Sequence, residues 1–106
     1  MSDRRLGQSL IQVYSEHRPS GRRRIAFELE KKGIGKTLSR ELIDEACTPQ
    51  SEQKKASELA RDKYDRWKTL DPLKRRKRIY DFLLRRGFDF EVARQATKEA
   101  EYGTSA

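Results

Sequence analysis

The sequence predicts an all-α protein in which two tandem three-helix repeats form a curved, elongated helical stack. Apolar residues recur at intervals of three and four along most of the chain, which is the spacing of a buried helix face. No stretch shows the apolar–polar alternation that is typical of a half-buried β-strand. A pattern of apolar and basic residues in the first half returns 54 residues later in the second half, and this indicates one supersecondary unit used twice.

The repeat is most evident around two glycines. When Gly33 is aligned with Gly87, the apolar positions that coincide are Ile25 with Ile79, Leu29 with Leu83, Ile34 with Phe88, Leu38 with Val92 and Leu42 with Ala96. An offset of 54 residues is longer than a helix pair needs, so each copy has room for a third helix. We therefore predict repeats at residues 3–48 and 49–101, followed by a flexible tail at residues 102–106.

The first repeat contains three predicted helices, at about residues 4–16, 20–32 and 37–46. Their inward positions are predicted to be Leu6, Leu10, Val13 and Tyr14, then Ile25 and Leu29, then Leu38, Leu42 and Ile43. Gly33 is expected to take the left-handed conformation that ends a helix. Phe27 lies on the side opposite Ile25, and we interpret it as packing against a neighbouring element or a partner.

The second repeat begins with a predicted helix at about residues 50–68, introduced by a capping Thr48 and a proline. Its apolar stripe consists of Ala56, Ala60, Tyr64 and Trp67. The next helix is capped by Asp71, starts with a proline and ends at Gly87, which is a second predicted structural turn. The last helix starts near Asp89, and its inward positions are Val92, Ala93, Ala96 and Ala100.

The charge of the chain is high and uneven. There are 25 lysines and arginines against 17 acidic residues, so the net charge is +8. Residues 1–53 hold 10 basic and 8 acidic groups, whereas residues 54–106 hold 15 and 9. A cationic surface favours a polyanionic partner such as nucleic acid or an acidic protein surface. A surface that is charged only for solubility explains the same numbers equally well.

The sequence lacks the signals of enzymes, metal proteins and membrane proteins. Cys47 is the only cysteine and His17 the only histidine, so neither an intramolecular disulfide nor a Cys/His metal site is expected. The acidic residues are scattered among basic ones, and the Gly33–Lys36 segment follows a helix rather than the strand that precedes a phosphate-binding loop. We expect no catalytic site and no cofactor. Without a signal peptide or an apolar span, the chain is expected to be cytoplasmic.

The candidate binding residues are cations on the outer side of the second helix of each repeat. Opposite Ile79, they are Lys74, Lys77, Arg78 and Arg85, and in the first repeat they are Arg23, Arg24 and Lys31. Three further arginines, Arg75, Arg76 and Arg86, lie near the Ile79 face. We expect their aliphatic stems to cover the edge of the core while their charged heads pair with acids.

The residues around the two glycines also match a known family pattern. The matching stretches are Gly21–Ile25, Glu28–Leu29, Lys32–Ile34 and Arg78–Phe88. They resemble the central and C-terminal repeats of the RecX family of recombination regulators, in which a basic helix ends in a Phe-Leu…Arg-Gly-Phe pattern. The opening Asp3–Leu6 is similar to the start of the family's second repeat, although Leu6-Gly7 replaces the usual Phe-Ala. Members usually carry three such repeats, and we expect the first to be absent here.

The resemblance implies a monomeric regulatory protein that binds RecA and lies along the groove of the RecA–single-stranded DNA filament. It implies inhibition of the filament's ATPase, recombinase and coprotease activities, and hence an influence on DNA repair and the SOS response. Direct binding to DNA is expected to be weaker than binding to the filament. The alternative is a stand-alone helical nucleic-acid-binding module. Against it, the helices after the glycine turns offer few base-reading groups, namely Arg40, Glu41, Arg94 and Gln95.

Overall fold

A computed structural model describes residues 2–102 of the chain. Within this range there are six α-helices and no β-strand: α1 (Asp3–Glu16), α2 (Arg22–Lys31), α3 (Lys36–Ala46), α4 (Pro49–Arg66), α5 (Pro72–Arg85) and α6 (Phe90–Tyr102). The molecule measures 50 × 23 × 21 Å, so the predicted all-α, elongated stack is confirmed. Tyr102, the first residue of the predicted tail, is the last residue of α6, and residues 103–106 lie outside the described range.

The helix ends follow from the local sequence. The side chains of Thr48 and Asp71 accept hydrogen bonds from the first turns of α4 and α5, each of which starts with a proline. Gly33 and Gly87 have φ angles of +92° and +94°, the left-handed conformation expected for both. The next residue in each case donates its N–H back into the helix, with N···O distances of 3.1 and 3.2 Å, which completes a Schellman motif.

Each group of three helices encloses its own core. The first core consists of Ile11, Ile25, Leu29, Ile34, Leu42, Ile43 and Cys47. The second consists of Ala56, Ala60, Ile79, Leu83, Phe88, Ala93, Ala96 and Ala100. Residues 54 positions apart are buried in both cores, with their sizes exchanged: the larger Phe88 replaces Ile34, and the smaller Ala96 replaces Leu42. Such exchanges keep the total core volume similar, which a close-packed interior requires.

The predicted inward face of α1 is partly wrong. Leu6 and Val13 remain 45% and 41% exposed, whereas Gly7 and Ile11 are buried. The reason is a close helix contact, because a Cβ atom on Gly7 would lie 2.4 Å from Cδ1 of Leu42 on α3. Packing the bare backbone of Gly7 against α3 turns the larger apolar residues of α1 toward the edge of the core.

A buried ion pair joins the helices of the second core. The Nε and Nη2 groups of Arg75 donate to the two carboxylate oxygens of Glu101 at 2.9 and 3.1 Å. Its Nη1 group donates to the carbonyls of Lys68 and Leu70, each at 3.2 Å, and its guanidinium lies 4.4 Å from the centre of the Tyr64 ring. Here the predicted pairing of an inward arginine with an acid is confirmed.

Replacing this arginine should therefore destabilise the second repeat. We expect Arg75→Ala to lower the free energy of unfolding by about 3 kcal/mol, because Glu101 is then left buried without its partner. Arg75→Lys should recover only part of the loss, since an ammonium group cannot form the paired hydrogen bonds of a guanidinium. Urea unfolding of the three proteins measures the difference. An unchanged midpoint in Arg75→Ala would contradict the role assigned to the pair.

Candidate binding surface

The two repeats meet where α2 begins and α5 ends. The N–H of Gly21 donates to the carbonyl of Arg86 at 2.8 Å, and the N–H of Arg23 donates to the carbonyl of Gly87 at 3.1 Å. These are the groups that a helix leaves unpaired at its start and at its end. Their partial charges are also opposite, so the end-to-end contact is electrostatically favourable.

Glycine is required on both sides of this contact. A Cβ atom on Gly21 would lie 2.4 Å from the carbonyl oxygen of Gly87. A Cβ atom on Gly87 would lie 2.4 Å from the backbone nitrogen of Arg24. Both distances involve backbone atoms, which cannot rotate away. The direct backbone contact between the repeats therefore depends on the missing side chains.

Polar side chains of α4 hold the same junction from a second direction. The buried carboxylate of Glu52 accepts a hydrogen bond from the N–H of Arg22 at 3.0 Å, so it caps the start of α2. Lys55 forms an ion pair with Glu52 at 3.0 Å and donates to the carbonyl of Ser20 at 2.9 Å. The second repeat thus satisfies backbone groups of the first, which fixes how the two are oriented.

Arg86 does not pair with an acid, contrary to the sequence prediction. Its Nε and Nη2 groups donate to the carbonyl of Pro19, at 3.1 and 2.7 Å. Burial lowers the pKa of Arg86, and the nearby positive charges of Arg24 and Arg18 lower it further. These three arginines, with Tyr14 and Ser20, line a pocket of about 90 Å³ at the junction.

All seven predicted binding cations are exposed, and we refer to them together as the basic surface: Arg23, Arg24, Lys31, Lys74, Lys77, Arg78 and Arg85. Three of the α5 residues are the counterparts of the three α2 residues, 54 positions later in the chain. Arg85 lies in the last turn of α5, and the backbone of Arg24 contacts Gly87. The end-to-end junction therefore brings the cations of the two helices next to each other.

Aromatic rings accompany these cations. The guanidinium of Arg78 lies 4.7 Å from the centre of the Trp67 ring, and the ammonium of Lys63 lies 4.7 Å from that of Phe82. Trp67 and Tyr64 are partly buried against the second core, in line with the prediction that they are core residues. Phe27, by contrast, is 59% exposed, one helical turn from both Arg23 and Lys31. It does not join the first core, which leaves the partner interpretation of this ring as the one to test.

Sequence reasoning missed several cations that the fold places in defined positions. Lys63 contacts two rings, and Arg18 reaches the junction from the end of α1. Arg94 and Lys98 line a groove between α5 and α6. A signal for the last of these was present in the repeat itself, because Lys98 occupies the position at which the first repeat has Asp44.

The described residues contain no group of three or more His, Cys, Asp or Glu side chains that could hold a metal ion. Cys47 is buried in the first core, and this burial raises the pKa of its thiol. None of the helices within residues 2–102 has the length and apolarity that a membrane crossing requires.

The architecture defines the class of protein: a tandem three-helix-repeat protein with an exposed basic surface on the second helix of each repeat. Residues 50–97 match the family model for the third three-helix domain of RecX. Two curated relatives, both named Regulatory protein RecX, come from Pelodictyon phaeoclathratiforme and Chlorobium phaeobacteroides. They are 31% and 32% identical to this chain over 103 and 95 residues, which is 92% and 90% of it. The chain belongs to the RecX family.

The fold comparison agrees with this assignment. The crystal structure of RecX from Lactobacillus salivarius superposes with a TM-score of 0.86 at 20% identity, over 95% of this chain and 65% of that one. The chain spans about three fifths of the length of the curated relatives it matches, at 59% and 60%. Activities of the full-length relatives therefore enter below as proposals.

Proposed function

We propose that this chain binds RecA and the RecA–single-stranded DNA filament and inhibits the filament's ATPase, recombinase and coprotease activities. It would thereby regulate DNA repair and the SOS response, acting as a monomer in the cytoplasm. The observation that carries the proposal is membership of the RecX family, whose matched relatives are named regulatory proteins. The basic surface supplies a physical means of contact.

The basic surface suits a partner made of acidic protein and DNA phosphates together. Cations that are exposed and not paired within the core lose little hydration in the free protein, so they can steer association with a polyanion. Release of counterions from DNA adds to the binding free energy. At 1.5 Å per residue, the 10 residues of α2 and the 14 of α5 amount to roughly 35 Å of helix. A surface of this length is suited to an extended partner.

The proposal predicts inhibition of RecA. Added to RecA and single-stranded DNA, the chain should reduce ATP hydrolysis at concentrations well below those at which it coats free DNA, because filament binding is the stronger interaction. Hydrolysis is measured by phosphate release, and binding by co-sedimentation with the filament. A titration with DNA alone is the control.

Two outcomes would count against the proposal. Inhibition that appears only at DNA-coating concentrations would favour the stand-alone nucleic-acid-binding module. Co-sedimentation without inhibition would retain the binding part of the proposal and overturn the inhibitory part.

A further inference from the structure

A second cationic surface lies outside the outer face of α5. Between α5 and α6 runs a groove of about 460 Å³, which we call the C-terminal groove. Its floor is mostly apolar and includes Leu73 and Tyr80. Four cations rise on its walls: Arg76 and Lys77 from α5, and Arg94 and Lys98 from α6. No acidic side chain is among the described residues that line it.

The charge of this groove is largely uncompensated within the chain. Arg94 forms an ion pair with Glu91 at 2.8 Å, but both side chains are exposed, so water weakens the pair. The Nε–H of Arg76 is buried and has no hydrogen-bond acceptor among the described residues. A buried donor without an acceptor costs free energy, which a carboxylate at this position would recover.

The first repeat contains the corresponding groove, with its charges neutralised. Arg22, Arg23 and Arg40 line a smaller groove of about 220 Å³ between α2 and α3, and they precede Arg76, Lys77 and Arg94 by 54 positions. Asp44 pairs with Arg22 there, through a direct carboxylate–guanidinium contact. The residue at the position of Asp44 in the second repeat is Lys98, so the C-terminal groove gains a positive charge and lacks the acid.

The chain itself provides an example of what such a groove accepts. Asp89, at the start of α6, lines the groove of the first repeat, and its carboxylate lies 3.7 Å from Nε of Arg23. The ring of the following residue, Phe90, is centred 6.0 Å from the same guanidinium. An acidic residue followed by an aromatic one thus meets the first groove. Arg23 corresponds to Lys77, which lines the C-terminal groove.

We propose that the C-terminal groove binds an acidic segment of a partner protein, in which a carboxylate residue is followed by an aromatic one. The carboxylate would pair with Arg76 and Lys98, and the ring would cover Leu73 and Tyr80. From Leu73 to Tyr80 the groove follows about 10 Å of helix, which an extended peptide covers with three residues. The surrounding cations attract further acidic residues of the segment. This proposal does not depend on RecA inhibition.

The test uses a fluorescein-labelled peptide of about ten residues, rich in Glu and Asp around a central Asp-Phe pair, so that it exceeds the length of the groove. Binding to the whole chain is followed by fluorescence anisotropy. We expect the double variant R94E/K98E to bind at least tenfold more weakly. The matched control is K36E/R40E, which makes the same charge change at the same spacing on α3 and should bind like the unmodified protein.

Two control peptides test the chemistry of recognition. A peptide with Asn and Gln in place of the acids, and one with Ser in place of the Phe, should each bind several-fold more weakly. Equal binding of the acidic peptide by R94E/K98E and the unmodified chain would overturn the proposal.

Two other occupants would also overturn it. One is single-stranded DNA: tighter binding of an oligothymidylate of similar length, lost in R94E/K98E, would make the groove a nucleic-acid site. The other is a second copy of this chain: concentration-dependent dimers that disappear in R94E/K98E would assign the groove to Asp89 and Phe90 of that copy. Sedimentation velocity of the unmodified chain and the double variant distinguishes this outcome.

Discussion

Gly87→Ala is expected to lower the free energy of unfolding by about 3 kcal/mol and to disturb the contact between the repeats. Two costs add in this variant. An alanine at φ of +94° pays about 1–2 kcal/mol for the left-handed conformation. Its Cβ would also meet the backbone nitrogen of Arg24 at 2.4 Å, and such overpacking adds about 1–3 kcal/mol because backbone atoms cannot move aside cheaply.

The repeat provides the matched control. Gly33 has nearly the same φ, +92°, but a Cβ atom there would have no neighbour within 4 Å. Gly33→Ala should therefore lose only about 1–2 kcal/mol, the conformational part. Urea unfolding of both variants measures the two losses, and the difference between them is the cost of the junction contact. Equal losses would show that the close approach of Gly87 to α2 contributes nothing to stability.

Charge reversal on the outer face of α5 is expected to have the largest effect on binding. The variant K74E/K77E/R78E/R85E should bind the RecA–single-stranded DNA filament on the order of a hundredfold more weakly, because four attractive contacts become repulsive. All four side chains are exposed, so the helical content should be retained, which circular dichroism checks. The remaining binding should also depend less steeply on salt.

The control for this variant makes the same change in net charge elsewhere. Lys54, Arg61, Arg66 and Lys68 are exposed cations on or next to α4, and reversing all four should leave filament binding within a few-fold. Equal losses in the two variants would mean that only net charge matters. Unchanged affinity in the α5 variant would remove the basic surface from the proposal. Because Lys77 also lines the C-terminal groove, the triple variant K74E/R78E/R85E separates the two surfaces.

Local rules were sufficient to predict the helices and their ends from the sequence. Thr48 and Asp71 accept the hydrogen bonds expected of caps, and Gly33 and Gly87 have the positive φ expected of helix-ending glycines. These features depend on residues within one helical turn, so nearby sequence decides them. The helical period also predicted which cations of α5 are exposed, since the turn angle alone separates Ile79 from the opposite face.

Features that depend on contacts between distant residues were harder to predict. Leu6 and Val13 look like core positions by period, but the close approach of Gly7 to Leu42 turns them outward. Arg86 lies near an apolar face, and the acid expected for it is replaced by a backbone carbonyl at Pro19. In both cases the partner is more than 30 residues away in the chain, so no local pattern identifies it.

The sequence by itself determined the all-α class, the repeat, the helix ends and the cationic outer faces. These follow from spacing and from the conformational preferences of single residues. Only the tertiary structure decided how the repeats join and which charges remain without partners. Gly21 meets Gly87, Asp89 reaches Arg23, and the groove beside Lys98 contains no acid among the described residues. The physical reason is that backbone contacts and charge neutralisation act between atoms that are near in space, whatever their separation in the chain.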